Sequence, residues 1–274
     1  MAYMNLYWKV ESGCNMGCVM CFRDHTRRIV RGYETKLLTE AKSAGFSAII
    51  LTGGEPTLRD DLPGLVRECS SYGFNVRLDT NGINLNREYL ASLQEYLSIL
   101  GLPLHGSTAQ LHDSIARRQG HFEIVRNISS IATELGIPVK ITTAVSRRNI
   151  GDAQNIAQYL ADEIHPRIYG LNGVVKRSLG AKAYGDLEIA QAEFEELKER
   201  LGQGNYPFRL SFCSGRKDTE RAYIFVNPDF TMSITSGDSE EVIGDLKTES
   251  LECILQRTVV DHERHMARSK ATSL

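Results

Sequence analysis

Short apolar runs alternate with amphipathic helical patterns along most of the chain. Residues 47–52 are apolar almost without a break, which is typical of a parallel strand buried on both faces. Residues 4–11 instead alternate, with Leu6, Trp8 and Val10 on one face. The same reasoning predicts further strands over residues 75–80, 97–104, 139–145 and 167–171.

Amphipathic helices are predicted between these strands, because apolar residues recur there at intervals of three and four positions. The clearest stripes are Leu62, Leu65, Val66 and Cys69; Val125, Ile128, Ala132 and Leu135; Ile156, Ala157 and Leu160; and Ala190, Phe194, Leu197 and Leu201. Strand–helix repeats of this kind imply parallel strands with right-handed crossovers, and hence an α/β fold. Either an open doubly wound sheet or a barrel fits, and both form active sites at the carboxyl ends of strands.

The pattern changes from about Tyr206 onward. Residues 221–226 and 231–234 flank an Asn-Pro-Asp turn and predict a hairpin, and a helix is predicted over residues 250–265. The tail at residues 267–274 is small and polar and is expected to fray. We therefore predict a main domain over residues 1–202 and a small α+β appendage over residues 203–274.

The composition is that of a globular protein with a sizeable core: 274 residues, 42% apolar, with a net charge of −2. This balance gives no electrostatic footprint for nucleic acid. No apolar stretch approaches the length of a membrane span, and no signal peptide is evident. With six cysteines in such a chain, we predict a protein of the reducing cytoplasm.

Three cysteines, Cys14, Cys18 and Cys21, follow the first predicted strand with C-x3-C-x2-C spacing. Three thiolates on one short loop can hold three corners of an iron–sulfur cube and leave the fourth iron open to a small molecule. The alternative is a zinc site with His25 as the fourth ligand, although structural zinc usually takes its ligands from separated pairs. The spacing favours the cluster.

Two further features fall at predicted strand ends. Gly53-Gly54-Glu55-Pro56 follows the second strand, and Asn81 follows the third. Two glycines let a ligand approach the backbone closely, and Glu55 can accept a hydrogen bond from an ammonium group. The alternative for the tetrapeptide is a plain tight turn, with Pro56 at the start of the next helix. Its place one strand after the cysteine loop favours an active site.

Together these motifs make residues 5–175 resemble the radical S-adenosylmethionine (SAM) enzymes. The resemblance implies a partial (β/α)6 TIM-like barrel in which Cys14, Cys18 and Cys21 bind one [4Fe-4S] cluster. It further implies that the amine and carboxylate of SAM chelate the open iron. The residues that it places along SAM are Gly53, Gly54, Glu55 and Asn81.

A second stretch of the resemblance is less regular. His112-Asp113 and Gly120-His121-Phe122 are similar to the family's His-Asp, Arg-Gly and Gly-x-Phe stretch. Ala116 stands where an arginine is common, so either Arg117 or Arg118 is expected to reach the carboxylate of SAM.

Two positions are expected near the adenine of SAM. Met20 replaces the usual aromatic residue before the third cysteine, and an unbranched thioether can fill that space. Asn172 lies where the family's sixth strand offers its backbone to adenine.

The C-terminal segment resembles the frame of the SPASM/twitch extensions, through Cys213-Ser-Gly215 and residues 224–230 and 242–246. Those extensions carry auxiliary clusters on several cysteines, whereas residues 232–236 here contain none. Cys213 and Cys253 cannot supply the usual ligand set. The appendage is therefore expected to cap the barrel and shape the substrate pocket without a second cluster.

The resemblance implies a reductive mechanism, in which one electron from the cluster cleaves SAM to methionine and a 5′-deoxyadenosyl radical that abstracts hydrogen from the substrate. It also implies an external electron donor such as flavodoxin or ferredoxin. A small molecule (a nucleoside, a sugar or a natural-product intermediate) is the favoured substrate, because peptide-maturing members usually add a recognition domain or fully ligated auxiliary clusters. A peptide is the alternative. A non-catalytic zinc-binding interaction protein is a remote alternative, since it does not explain Glu55 or Asn81.

His105 ends the fourth predicted strand and is expected to face the substrate. It is a candidate proton donor in catalysis. A structural histidine whose hydrogen bonds are satisfied within the fold is the alternative.

Overall fold

The structure, a computed structural model, describes residues 5–21, 26–175, 185–237 and 239–272. The strands are Asn5–Glu11 (β1), Ala48–Gly53 (β2), Asn75–Asp79 (β3), Ile99–Pro103 (β4), Val139–Val145 (β5), Ile168–Gly173 (β6), Arg209–Cys213 (β7), Ile224–Val226 (β8), Thr231–Ser236 (β9) and Ser239–Asp245 (β10). The α-helices are Glu34–Ser43 (α1), Leu62–Ser71 (α2), Arg87–Leu93 (α3), Ala109–Ala116 (α4), His121–Glu134 (α5), Ala153–Tyr159 (α6), Gln191–Gly202 (α7), Arg216–Thr219 (α8), Leu251–Arg257 (α9) and His262–Thr272 (α10). Short 3-10 turns lie at Pro56–Leu58 and Ile150–Asp152, and a π-helical turn at Leu160–Ile164 extends α6. Within the part of the chain that the structure describes, no helix has both the length and the apolar character that a membrane span needs.

These strands form one sheet in the order β10-β9-β8-β1-β2-β3-β4-β5-β6-β7. Neighbouring strands from β8 through β1 to β7 are parallel, whereas β9 is antiparallel to β8 and to β10. The predicted α/β fold, a parallel sheet arranged as a partial TIM-like barrel, is confirmed. Parallel pairing brings the carboxyl ends of β1 to β6 to one edge of the sheet, which we term the carboxyl edge.

The two faces of the parallel sheet differ in polarity. Leu6 and Trp8 of β1 pack with the helices in the main apolar core, as do alternate residues of the other strands. Because side chains alternate along a strand, the next residue of each strand points to the opposite, concave face. That face carries Tyr7 on β1, Arg77 on β3 and Lys140 on β5. A closed barrel usually fills such positions with bulky apolar side chains, whereas the concave face here combines charged residues with a small apolar cluster of Tyr7, Ala48, Ile50 and Phe225.

The predicted appendage contributes to the same sheet at both ends. β7 pairs with β6, while β8 pairs with β1 and carries β9 and β10 beyond it. β7 was not predicted as a strand, because the alternation of polar and apolar residues in it covers only the five positions 209–213. The domain boundary after residue 202 remains a prediction.

The single helix predicted over residues 250–265 is wrong. The chain forms α9 and α10 with a break at residues 258–261, where three β-branched residues precede Asp261. Asp261 Oδ1 accepts from the backbone N–H of Arg264 (2.9 Å), which starts α10.

The frayed tail predicted from residue 267 is also wrong as far as Thr272. Arg268, Ser269 and Thr272 are buried, because this helix packs on the sheet. Arg268 donates to the backbone carbonyl of Phe212 on β7 and through Nε to the Tyr223 hydroxyl (3.2 Å), just before β8. The α10 helix therefore bridges the two outer strands of the parallel segment.

Candidate functional site

The cysteine loop lies against the end of β2, held by backbone hydrogen bonds. The N–H of Gly54 donates to Glu11 O and the N–H of Glu55 donates to Gly13 O, both at 2.7 Å. A Cβ atom on Gly54 would lie 1.9 Å from Gly13 O, and one on Gly53 (φ +140°) would lie 2.3 Å from Glu11 O. Both glycines are therefore required here by contact between two backbones.

The carboxylate of Glu55 is buried and joins β2 to β3. Its Oε1 accepts from the Thr57 N–H (3.0 Å), the Thr57 hydroxyl (2.6 Å) and the Thr80 hydroxyl (2.5 Å). Its Oε2 accepts from the Asn81 N–H at 2.8 Å. Four hydrogen bonds offset the cost of burying this charge, and they fix the carboxylate at the carboxyl edge.

Asn81 connects Glu55 with the cysteine loop. Its Nδ2 donates to Asn15 Oδ1 at 2.7 Å and lies 3.9 Å from Cys14 Sγ. Its Oδ1 accepts from the Ile83 N–H at 2.9 Å, which fixes the orientation of the amide. The predicted residues of β1, β2 and β3 therefore converge at one edge of the sheet.

The three cysteines lie half-buried on the loop after β1. Burial, with a smaller contribution from Cys21, raises the pKa of the Cys18 thiol to about 11. In the described ranges, no three or more histidine, cysteine or acidic side chains form a group that could hold a single metal ion. A cluster takes one thiolate at each of several irons, and so suits a donor set more widely spaced than a single ion requires. The donor chemistry fits a cluster, and His25 of the zinc alternative lies outside the described residues.

The loop also rests on α4. The N–H of Val19 donates to Ile115 O at 3.3 Å, and Val19 and Met20 pack with Ile115 in a small apolar cluster. Met20, expected over the adenine, is therefore buried beside α4.

Behind the carboxyl edge, two buried histidines form a directed hydrogen-bond chain. His121 Nε2 lies 2.8 Å from the carbonyl oxygen of Asn81, and a carbonyl only accepts, so Nε2 carries the proton. His121 Nδ1 must then accept from His112 Nε2, also at 2.8 Å. His112 Nδ1 in turn accepts from the backbone N–H of His105 at 2.9 Å. This chain, which we term the histidine relay, connects the ends of β3 and β4.

The relay is neutral. Burial, with a smaller contribution from the neighbouring histidines, lowers the pKa of His112 to about 2. The two rings lie parallel, with centroids 5.0 Å apart. Because each ring nitrogen has a fixed role, a proton added to either ring would leave two donors facing each other.

Asp113, the other polar residue of the His112-Asp113 pair, contacts the start of α5. Its Oδ2 accepts from the Gly120 N–H (2.6 Å) and its Oδ1 from the Phe122 N–H (2.9 Å). Asp113 therefore caps the start of α5 and places His121 in the relay. The hydrogen bond between His112 and His121 was not predicted from the sequence, although both histidines were noted.

His105 lies at the carboxyl edge but is buried. Its Nδ1 accepts from the Ala144 N–H at 3.3 Å, and its ring stacks on that of His112 at 5.6 Å. Burial lowers its pKa to about 3. These surroundings favour the structural alternative over a proton donor.

The other two predicted cofactor residues lie apart from this group. Arg117 is exposed just beyond α4, with a left-handed backbone (φ 52°). Asn172 is half-buried near the end of β6, where it pairs with Cys213 of β7. Their roles remain predictions.

A comparison with known families decides the assignment. The sequence profile of the Radical SAM superfamily matches residues 8–160, which is more than half of the chain. This chain belongs to the radical SAM superfamily. It is therefore a radical SAM enzyme, and membership implies SAM and an iron–sulfur cluster.

Among curated relatives of this radical SAM enzyme is the AdoMet-dependent heme synthase of Methanosarcina barkeri, 28% identical over 196 residues, or 69% of this chain and 55% of the relative. The PqqA peptide cyclase of Methylocella silvestris is 30% identical over 172 residues, or 60% of this chain and 46% of the relative. The S-adenosylmethionine-dependent nucleotide dehydratase of Flammeovirga pacifica is 25% identical over 228 residues, or 78% of this chain and 77% of the relative. The chain spans about half the length of the first two.

The fold has solved counterparts. The crystal structure of Streptococcus suis SuiB bound to precursor peptide SuiA superposes with a TM-score of 0.75 over 98% of this chain and 67% of that chain. Its sequence identity is 14%, so the likeness is one of fold.

Proposed function

We propose that this chain cleaves SAM reductively and takes hydrogen from a C–H bond of a peptide. The observation that supports the cofactor half is the convergence of Cys14, Gly54, Glu55 and Asn81 at one edge of the sheet. A peptide substrate is supported by curated relatives named for peptide maturation: the PqqA peptide cyclase, and mycofactocin maturases at 27–29% identity.

The residues of the chain would divide the work as follows. Cys14, Cys18 and Cys21 would hold one cluster, which when bound supplies the electron that breaks the C5′–S bond of SAM. Gly53 and Gly54 bring the backbone close, and Glu55 presents a fixed carboxylate to the methionyl amine. The concave face would hold the substrate beneath SAM and exclude water. An external flavodoxin or ferredoxin would supply the electron.

A small molecule is the second candidate substrate, and was the one that the sequence favoured. The relative named as a nucleotide dehydratase supports it, because that match spans 78% of this chain and 77% of the relative. The names of the other relatives give more support to a peptide.

The test is substrate-dependent formation of 5′-deoxyadenosine by anaerobically reconstituted protein with dithionite. One arm supplies precursor-like peptides encoded beside the gene, and a matched arm supplies nucleotides and sugar phosphates. We expect at least a ten-fold stimulation by a peptide, with a mass change in that peptide. Stimulation by the nucleotide arm alone would overturn the peptide assignment, and absence of 5′-deoxyadenosine in all arms would overturn SAM cleavage as well.

A further inference from the structure

The concave face carries a buried charged group that the cofactor site does not use. We term it the barrel floor, and its members are Tyr7, Arg77, Asp79, Lys140, Cys213 and Arg268. They come from β1, β3, β5, β7 and α10. Two glycines make room for them: a Cβ on Gly101 of β4 would lie 2.1 Å from Asp79 Oδ1, and one on Gly170 of β6 would lie 3.3 Å from Lys140 Cε.

Most charges of the floor have partners within the fold. Arg77 Nη2 donates to Asp79 Oδ2 at 3.0 Å, and its Nη1 donates to Thr272 O at 3.2 Å. Arg268 donates to the Phe212 carbonyl and to the Tyr223 hydroxyl. Both guanidinium groups are therefore anchored by hydrogen bonds.

Lys140 is the exception. The residue is only 5% exposed, yet its Nζ makes no hydrogen bond or ion pair with another described residue. Asp79, the one carboxylate that acts on it, is already paired with Arg77. The Nζ atom keeps some contact with solvent, and burial of the side chain lowers the pKa of Lys140 to about 7.

The charge balance of the floor is positive. Among the described residues, Arg77, Lys140 and Arg268 carry its positive charges, Asp79 is the carboxylate that acts on Lys140, and Asp218 acts on Cys213. The side chain of Asp79, the last residue of β3, is 35% exposed, and a cavity beside Arg77 is lined by Asn5 and Asn75 at the starts of β1 and β3. Cations gathered in a recess lined by few anions attract an anionic ligand.

We propose that the barrel floor binds an oxyanion of the substrate, a carboxylate or a phosphate, with Lys140 as its principal partner. This rests on the proposed function and deepens it, because it places an anionic group of the substrate below the reacting C–H bond. The bound anion would supply the hydrogen-bond acceptor that Lys140 lacks in the fold. Arg77 and Arg268 would add charge without leaving their own partners.

The experiment is a thermal-unfolding titration of the reconstituted enzyme with inorganic phosphate and, separately, with acetate, against chloride at matched ionic strength. We expect the wild type to be stabilised by one or both anions, and Lys140→Met to lose at least about ten-fold in apparent affinity. The matched control is Lys42→Met, an exposed lysine of α1 whose Nζ donates to Gly73 O at 3.0 Å, and it should titrate like the wild type. Phosphate alone would indicate a phosphorylated substrate, and acetate alone a carboxylate.

A second measurement separates a binding role from a structural one. Met keeps the stem of the side chain and removes the unpartnered charge, so in chloride Lys140→Met should melt a few degrees higher than the wild type. A lower melting temperature would show that the fold already satisfies the ammonium group, and would overturn the proposal. Equal stabilisation of wild type and Lys140→Met by anions, or none in the wild type, would overturn it too.

SAM cleavage by the wild type, measured in the same preparations, keeps the two proposals distinguishable. If 5′-deoxyadenosine forms without substrate but no anion binds, only the barrel floor is wrong. If anions bind but SAM is not cleaved, the proposed function is wrong and an anion site remains.

Discussion

Two buried charges, Glu55 at the carboxyl edge and Lys140 on the barrel floor, differ in what surrounds them. Glu55 is 1% exposed and accepts four hydrogen bonds from the residues after β2 and β3. Lys140 is almost as buried, and its Nζ has no hydrogen bond or ion pair with a described residue. One charge is part of the framework, and the other lacks a partner that a ligand can supply.

This difference distinguishes residues that stabilise the fold around a site from residues whose partner would be a ligand. At the carboxyl edge, removing a group breaks bonds that hold strands together, so stability and cofactor binding should fall together. On the floor, removing a charge should cost binding and gain stability, as is common where function opposes stability.

The largest effect is expected from Gly54→Ala. Its Cβ would lie 1.9 Å from Gly13 O, and backbone cannot rotate away as a side chain can. We expect a loss of about 3 kcal/mol in the free energy of unfolding and at least a hundred-fold loss of SAM cleavage. The matched control is Gly64→Ala in α2, where a Cβ meets nothing within 4 Å. The control should gain up to about 1 kcal/mol, since alanine favours a helix. Equal urea midpoints for the two variants would show that the edge tolerates side chains.

Glu55→Gln should follow. An amide must point its NH2 group at one of four donors, so we expect about 2–4 kcal/mol less stability in urea unfolding. SAM affinity should also fall by about ten-fold or more, measured by calorimetry. Exposed Glu95→Gln serves as the control and should change stability by less than about 0.5 kcal/mol. If Glu55→Gln lost SAM affinity without losing stability, Glu55 would resemble Lys140, and the claim that Glu55 stabilises the fold would be wrong.

The histidine relay predicts a pH dependence. The pKa of His112 is lowered to about 2 when folded, whereas an unfolded histidine titrates near 6.5. Below about pH 6.5 an unfolded histidine takes up a proton that folded His112 does not, so stability falls with falling pH, and His112 contributes at most about 1.4 kcal/mol per pH unit. His105 and His121, whose pKa values are also lowered, add to the slope. His112→Phe removes that uptake and should flatten the slope between about pH 6.5 and 4.

The control for that slope is His165→Asn. His165 is exposed and has a left-handed backbone (φ 54°), which asparagine tolerates. Its slope should match the wild type. An unchanged slope in His112→Phe would mean that the relay is not held neutral.

The smallest effect is expected from Cys213→Ser. Cys213 is buried at the end of β7, and the appendage offers only Cys253 besides it, which is exposed. Auxiliary clusters generally need three or four thiolates, so iron content and SAM cleavage should not change. Stability should fall by about 1 kcal/mol. A halving of iron would show that the C-terminal segment holds a second cluster.

Much of the parallel sheet could be predicted, because its strands are short apolar runs between helical stripes. β5 spans the predicted residues 139–145, and β3 begins at the predicted Asn75. β7 was missed because it has only five residues and because Ser211 and Cys213, which face the concave side, interrupt a continuous apolar run. The buried end of α10 was missed because small polar residues are typical of tails, whereas here they pack against β7.

The candidate site could likewise be predicted only in part from the sequence. Motif residues at strand ends were predictable, since parallel strands bring their ends together. His112 and His121 were visible as residues but not as a pair, because only the turn capped by Asp113 brings their rings together. Lys140 looked like any polar residue of an alternating strand. Its lack of a partner depends on what β3, β7 and α10 place around it.

The most direct test of the central claim is iron content and SAM cleavage in wild type and Cys18→Ala after anaerobic reconstitution. We expect about four irons per wild-type chain and 5′-deoxyadenosine under dithionite. We expect neither in Cys18→Ala, with an unchanged circular dichroism spectrum because the loop lies outside the main core. Zinc in place of iron in the wild type, or 5′-deoxyadenosine released by Cys18→Ala, would contradict it.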